Sequence, residues 1–142
     1  MKDFKFYLET GEVKRVSVNS AIAQSLRKDI VERAGKILLL DKNTFAKLIF
    51  EQIYDCLREA ADTILALDGY KSYSHEASIS YLTKFKFSYG FIQEFDSFRF
   101  RRNGSKYYGK EIEINDSEQI ISFYKKYIEQ LLKIIDGKLK NA

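Results

Sequence analysis

The sequence contains no proline, no tryptophan and only seven glycines among its 142 residues. Proline and glycine interrupt helices and build turns, so their scarcity favours long helices over a fold with many turns. The single cysteine, Cys56, excludes an internal disulfide and any metal site built from several cysteines. Because Cys56 lies within a helical pattern, we expect a buried and unreactive thiol.

Long apolar runs are also missing. The longest ones, 37–40 and 64–67, are far too short to cross a membrane. The first residues lack the apolar region of a signal peptide, so we expect a cytoplasmic protein with no membrane partner. Hydrophobic residues make up 45% of the chain and charged residues 31%, a balance that is typical of one folded domain.

Apolar residues recur at helical spacing along most of the chain, and this predicts five substantial helices with short links. Such a series is typical of an all-α up-and-down bundle of four to five helices. The most apolar of them, 45–67, should lie at the centre or at a dimer interface. The five predicted helices span 21–39, 45–67, 74–84, 91–100 and 115–137.

Residues 3–16 fit two structures. Phe4, Phe6 and Leu8 alternate with polar residues, which is typical of a hairpin that turns at residues 9–11. A short helix that begins after Asp3 and ends at Gly11 fits equally well. We favour the helix, because an isolated hairpin would have no sheet to join.

The most distinctive stretch is residues 99–110, here called the basic segment. It has five basic side chains, three aromatic ones and no acidic one, in a chain of net charge +4. Guanidinium groups bind phosphate and aromatic rings stack on bases, so the segment predicts a nucleic-acid or nucleotide site. If the helix before it continues, Asn103 and Gly104 would allow a kink or a break there that exposes backbone N–H groups. The predicted ligand-binding residues are Arg99, Arg101, Arg102, Lys106 and Tyr108.

A structural alternative exists for the basic segment and for the other polar residues. The arginines could instead pair with the protein's own carboxylates on a solvated surface. His75, the only histidine, stands at a helix start beside Glu76, which fits a capping residue or a supporting residue of the site. The acidic row on helix 45–67 lacks the Glu-x-x-His motif of di-metal bundles and predicts ion pairs. No metal and no cofactor is expected.

Two stretches carry a resemblance to a known family. They are Asp68-Gly-Tyr-Lys-Ser-Tyr-Ser-His-Glu-Ala77 and Phe98-Arg-Phe-Arg-Arg-Asn-Gly-Ser-Lys-Tyr-Tyr-Gly109. With the short helix between them, they resemble the HEPN domain (higher eukaryotes and prokaryotes nucleotide-binding), above all its small stand-alone archaeal and bacterial members. The resemblance covers about residues 17–137, the expected core of a single domain that spans 1–142.

The resemblance implies a helical bundle that forms a homodimer and brings two copies of the basic segment together. Many members are metal-independent ribonucleases with an Arg followed, four to six residues later, by a His. Small members often pair with a minimal nucleotidyltransferase as a toxin–antitoxin system. Carried over by position, Arg102 is the family Arg and Asn103 its polar neighbour, while Tyr107 stands where the family has His.

Three functions follow from these observations. The first is a HEPN-type protein without strong catalysis that binds RNA, a nucleotide or a nucleotidyltransferase. The second is a metal-independent endoribonuclease toxin that uses Arg102, Asn103 and Tyr107. A phenol titrates near pH 10, whereas His titrates near neutrality, so this replacement matters for proton transfer. The third is a structural interaction module with an ordinary solvated basic segment.

Overall fold

Six α-helices make up most of the chain in the computed structural model, which describes all residues from 1 to 142. Two three-residue strands, β1 (Val13–Arg15) and β2 (Tyr70–Ser72), form the one sheet. The predicted all-α helical bundle is therefore confirmed, and none of its helices is both apolar and long enough to cross a bilayer. The helices are α1 (Phe4–Thr10), α2 (Ser20–Ile37), α3 (Lys42–Leu67), α4 (His75–Tyr81), α5 (Phe91–Tyr108) and α6 (Ile114–Lys140).

The central position of α3 follows from its apolar surface. It makes its most extensive contacts with α6 and α2, and twelve of its residues are buried. Cys56 is fully buried among them, as predicted. The prediction is wrong only for the first turns of α3, where Phe45 and Leu48 are each about two-fifths exposed. A helix with such a wide apolar face must be covered on several sides, and this places α3 at the centre of the bundle.

Short polar side chains set most of the helix starts. Asp3, Asn19, Asp41 and Ser74 each accept a hydrogen bond from the backbone N–H three residues further on. These bonds satisfy N–H groups that have no partner within the helix. In α2 the buried positions include Ala23 rather than Ile22, which is 57% exposed.

Both predicted ends of the last helix are wrong. The helix begins at Ile114 after a capping box of Glu113 and Asp116, before the predicted start at residue 115. The helix also continues through Gly137 to Lys140. A glycine is tolerated within a helix at a cost of about 1 kcal/mol, and the apolar Leu139 beyond it packs against the core.

The N-terminal region contains both the favoured helix and a strand. As predicted, α1 begins after Asp3 and ends at Gly11, which has a φ of 80°. β1 then pairs with β2 in an antiparallel ribbon, here called the β-ribbon. The presence of β2 corrects our prediction, in which residues 70–73 form a plain connection between two helices.

Candidate nucleic-acid interface

The basic segment is held in place by an aromatic cluster just before it. Phe91, Phe95 and Phe98 of α5 are buried, and Phe98 packs edge-on against Phe50 and Phe123 with ring centroids 6.0 and 5.2 Å apart. Aromatic pairs in this geometry stabilise a core beyond their buried area alone. The α5 helix is therefore anchored on α3 and α6 immediately before the basic residues start.

The kink or break that Asn103 and Gly104 would allow is absent. The α5 helix continues through Asn103 and Gly104 to Tyr108 and ends at Gly109, which has a φ of 66°. The Gly104 carbonyl accepts a hydrogen bond from the Lys110 N–H, and the Lys110 side chain lies over Gly104. The basic segment is thus mostly helix, and its side chains are sorted by helical spacing onto different faces.

One face of α5 borders an open cleft with a volume of about 640 Å³, here called the α4–α5 cleft. Three aromatic rings at this cleft are strongly exposed: Phe100 by 68%, Tyr107 by 65% and Tyr108 by 79%. Exposed rings of this size offer flat surfaces on which a base can stack. The cleft is lined by Glu76, Arg99, Phe100, Asn103, Gly104, Tyr107, Tyr108 and Lys110.

The cations at the cleft differ in how far they are neutralised. Arg99 donates from Nε to Asp96 at 2.7 Å, and its Nη1 lies 3.5 Å from a carboxylate oxygen of Glu76. Lys110 lines the cleft, whereas Lys106 lies beside it; both are exposed and form no salt bridge within the chain. The Lys106 ammonium lies 5.7 Å from the centre of the Tyr107 ring. The two lysines are therefore the cations that are free to meet an anionic ligand.

Arg101 and Arg102 do not face the cleft. Arg101 donates to Asp116 at 2.9 Å and to Gln119 on α6, on the other side of α5. Arg102 is only 8% exposed, and its guanidinium donates to Asp55 of α3 at 3.1 Å. Predicted as ligand-binding residues, both arginines instead pair with the protein's own carboxylates, which was the alternative that the sequence left open.

The acidic row of α3 supplies part of these pairs. Asp55 binds Arg102, and Glu59 accepts two hydrogen bonds from Arg33 of α2. The sequence predicted ion pairs for this row but placed them in solvent or between subunits, whereas the structure has them within one chain. The partner of Arg99 could have been found from the sequence, because Asp96 precedes it by three residues on the same helix.

His75 does not line the cleft and lies instead near several basic side chains. Its Nδ1 is 3.2 Å from the hydroxyl of the buried Tyr54. Burial of the ring, followed by the positive charges of nearby side chains, lowers the pKa of His75 to about 4. The imidazole is therefore neutral at pH 7. The side chains whose charges act on it are Arg58, Arg102, Arg99 and Lys106.

Glu76 connects the cleft with the N-terminal helix. Its carboxylate accepts a hydrogen bond from the Tyr7 hydroxyl at 3.2 Å, besides facing Arg99. Burial and the Glu76 charge raise the pKa of Tyr7 to about 12. The sequence offered no signal for this contact, because the two residues are 69 positions apart.

The structure thus brings Glu76, Asn103, Tyr107 and Tyr108 together with Arg99 at one cleft, and it places Arg101 elsewhere. No three His, Cys, Asp or Glu side chains come together in a metal-binding arrangement. No protein-family model, no curated protein and no solved structure matches this chain, so the resemblance to the HEPN family stays a prediction from the residues alone.

Proposed function

We propose that this protein binds single-stranded RNA or a nucleotide in the α4–α5 cleft and holds it without strong acid–base catalysis. The observation that carries the proposal is the combination of three exposed aromatic rings and Lys110 around one open cleft, with Lys106 exposed beside Tyr107. Lysine neutralises backbone phosphate and releases counterions, while aromatic rings stack on unpaired bases. Asn103 adds an amide that can donate to and accept from a base edge.

Glu76 limits which groups fit the cleft. Its side chain is 43% exposed and is shared between Arg99 and Tyr7. A carboxylate at this position repels phosphate and accepts hydrogen bonds from amino groups of bases. We infer that the phosphates of the ligand lie towards Lys106 and Lys110, and that a base lies towards Glu76.

Binding is favoured over cleavage because no histidine lines the cleft. His75 has a pKa of about 4 and lies beside Tyr54, outside the residues that line the cleft. General acid–base catalysis is most efficient when the catalytic pKa is near the working pH. The alternative, a ribonuclease using Arg102, Asn103 and Tyr107, would also require Arg102 to leave Asp55.

The proposed biological setting rests on the resemblance to the HEPN family. It includes a homodimer, a nucleotidyltransferase partner, a toxin–antitoxin or defence system, and a cytoplasmic location. Exposed apolar side chains that a homodimer could cover occur at two separate places, the start of α2 and the start of α3: Ile22 is 57% exposed and Leu48 is 43% exposed. Light scattering of the purified protein measures this association directly.

The cleft is tested by fluorescence anisotropy with a labelled 12-nucleotide oligouridine. The Lys106→Ala/Lys110→Ala variant is compared with Lys125→Ala/Lys133→Ala, which removes the same charge from exposed positions on α6. We expect the cleft variant to bind roughly tenfold more weakly, because two phosphates of the ligand are no longer neutralised. The α6 variant should bind as the unmodified protein does, and equal weakening in both variants would sink the proposal.

A salt titration separates phosphate neutralisation from other effects. On a single strand, each neutralised phosphate contributes about 0.7 to the slope of log K against log salt. We therefore expect a slope smaller by about 1.4 in the cleft variant. Substituting Tyr107 by Ser should instead weaken binding by about 1–3 kcal/mol at every salt concentration, because stacking involves no counterion release.

A further inference from the structure

The β-ribbon carries an arrangement of charge that the cleft does not explain. Lys14 of β1 stands directly opposite Lys71 of β2 in the antiparallel register, and both side chains are exposed. Like charges at directly opposite positions destabilise a strand pair. Neither lysine forms a salt bridge within the chain, so no carboxylate offsets their repulsion.

An exposed tyrosine lies between the two ammonium groups. Tyr73 is 62% exposed, and its ring centre is 5.7 Å from the Lys14 Nζ and 5.4 Å from the Lys71 Nζ. A third cation stands at the next position of the ribbon, where the Arg15 guanidinium lies over the Tyr70 ring and donates to its hydroxyl at 3.3 Å. Both ammonium groups lie over the Tyr73 ring at cation–π distance, so this surface combines an aromatic ring with cations, as a base with its neighbouring phosphates requires.

One carboxylate lies on the same part of the ribbon. The backbone carbonyl of Glu12 accepts a hydrogen bond from the Tyr73 N–H, and the Glu12 side chain accepts one from Thr10. Its carboxylate forms no salt bridge with Lys14 or Lys71. Arg15 follows Lys14 directly, so its side chain lies on the opposite face of the ribbon. The surface formed by Lys14, Lys71 and Tyr73, here called the ribbon patch, therefore keeps a net positive charge.

The ribbon patch and the α4–α5 cleft are neighbours along the chain. Tyr73 is three residues before Glu76, which lines the cleft. A chain of three residues spans at most roughly 10 Å. This distance is within the reach of a strand of a few nucleotides, whereas a single nucleotide in the cleft would leave the ribbon uncovered.

We propose that the ribbon patch is the second half of one binding groove, in which a single RNA strand leaves the α4–α5 cleft and continues across Tyr73 between Lys14 and Lys71. The inference rests on the proposed function of the cleft and adds to it the class of ligand, a strand of several nucleotides. A base stacks on Tyr73, and the phosphates on its two sides meet the lysines. The cross-strand repulsion between the lysines is relieved when the phosphates are present.

Edge protection is the competing explanation. Lysines on short edge strands prevent a sheet from pairing with another chain. That role explains exposed lysines on both strands, but it requires neither that they stand opposite each other nor that an exposed aromatic ring lies between them. The two explanations differ in which property changes when the lysines are removed.

The experiment compares labelled oligouridines of 4 and 12 nucleotides on three proteins. These are the unmodified chain, Lys14→Thr/Lys71→Thr, and the α6 control Lys125→Ala/Lys133→Ala. Threonine suits a strand, and circular dichroism checks the fold. We expect the ribbon variant to bind the 12-mer roughly tenfold more weakly than the unmodified chain does, with a salt slope smaller by about 1.4. Its affinity for the 4-mer should change far less.

A second variant guards against misfolding of the double one. Tyr73→Ser changes an exposed side chain and keeps the backbone bond to Glu12. We expect this variant to bind the 12-mer at least roughly fivefold more weakly, because one base can no longer stack. If Tyr73→Ser and the ribbon variant both bind the 12-mer normally, the inference is wrong.

The remaining outcomes separate this inference from the proposal for the cleft. If the cleft variant Lys106→Ala/Lys110→Ala weakens both oligomers and the ribbon variant weakens neither, the cleft stands and the longer groove does not. If the unmodified chain binds neither oligomer, both proposals fail. A ribbon variant that self-associates yet binds RNA normally establishes edge protection instead. If polyglutamate of equal charge displaces the 12-mer at equal concentration, the inference is wrong and the ribbon patch binds an acidic protein instead of RNA.

Discussion

The single histidine permits a direct test of the electrostatics around the cleft. His75 is the only imidazole in the chain, so its proton NMR signals are assigned without further labelling. Burial and the four nearby basic side chains lower its pKa to about 4, from an ordinary value of 6.5. We expect the ring to titrate near pH 4 in the folded protein and to stay neutral through the physiological range.

The same shift predicts how stability depends on pH. Between about pH 6.5 and pH 4 the unfolded chain binds a proton at His75 that the folded chain does not, so stability falls as the pH is lowered through this window. The full difference in pKa would correspond to about 3 kcal/mol. Because the ring is only partly buried, solvent screening reduces this to roughly 1–2 kcal/mol.

The assay is urea unfolding at pH 7.5 and pH 4.5 for the unmodified protein and for His75→Asn. Asparagine is neutral at both pH values and can still bond with the Tyr54 hydroxyl. Carboxylates that titrate in this range are common to both proteins, so their contribution cancels in the comparison. We expect the unmodified protein to lose roughly 1–2 kcal/mol more than the variant on acidification. An equal loss in both, or an NMR titration midpoint near 6.5, would refute the reasoning.

Four further substitutions and one activity assay test other parts of the structure. Asp55→Ala leaves the buried Arg102 charge unpaired and should cost about 3–5 kcal/mol of unfolding free energy, whereas Asp29→Ala at a more exposed pair should cost at most about 1 kcal/mol. Glu76→Gln removes a negative charge from the cleft and should tighten RNA binding severalfold in anisotropy titrations. Gly104→Ala lies within a regular helix, where the added methyl meets only the flexible Lys110 chain, so it should stabilise the protein by about 0.5–1 kcal/mol. Structured RNA incubated with the protein and EDTA should stay intact, and cleavage that Arg102→Ala abolishes would instead establish the ribonuclease.

The helices could be predicted from local patterns because their causes are local. Asp3, Ser74 and Gly11 act within one turn of the helix end that they define, so the sequence shows them directly. The helix is unbroken at Gly104 because contacts with distant residues outweigh the local effect of the glycine. Glycine only weakens a helix, and the aromatic anchor at Phe98 together with buried Arg102 holds this part of α5 in place.

The candidate site was predicted only in part because its pairings are distant. Composition located the basic residues, and the structure brings several of them to one cleft. Composition did not show which cations are already neutralised, since Arg102 meets Asp55 across 47 positions of the chain. The β-ribbon is a similar case, because Tyr70–Ser72 becomes a strand only through a partner 55 or more positions away.

The small second core beneath the β-ribbon has a consequence for local unfolding. Tyr7, Val13 and Ala77 form a cluster of three buried residues, separate from the main core of 26. The ribbon can therefore open while the large core stays closed, and its amide protons should exchange with solvent through this partial opening before those of α3 do. A ligand that spans the ribbon and the cleft must hold the ribbon shut. Bound RNA should therefore slow exchange at Val16 and Tyr73, whose N–H groups donate to the carbonyls of Gly69 and Glu12, by a factor set by the free energy of binding.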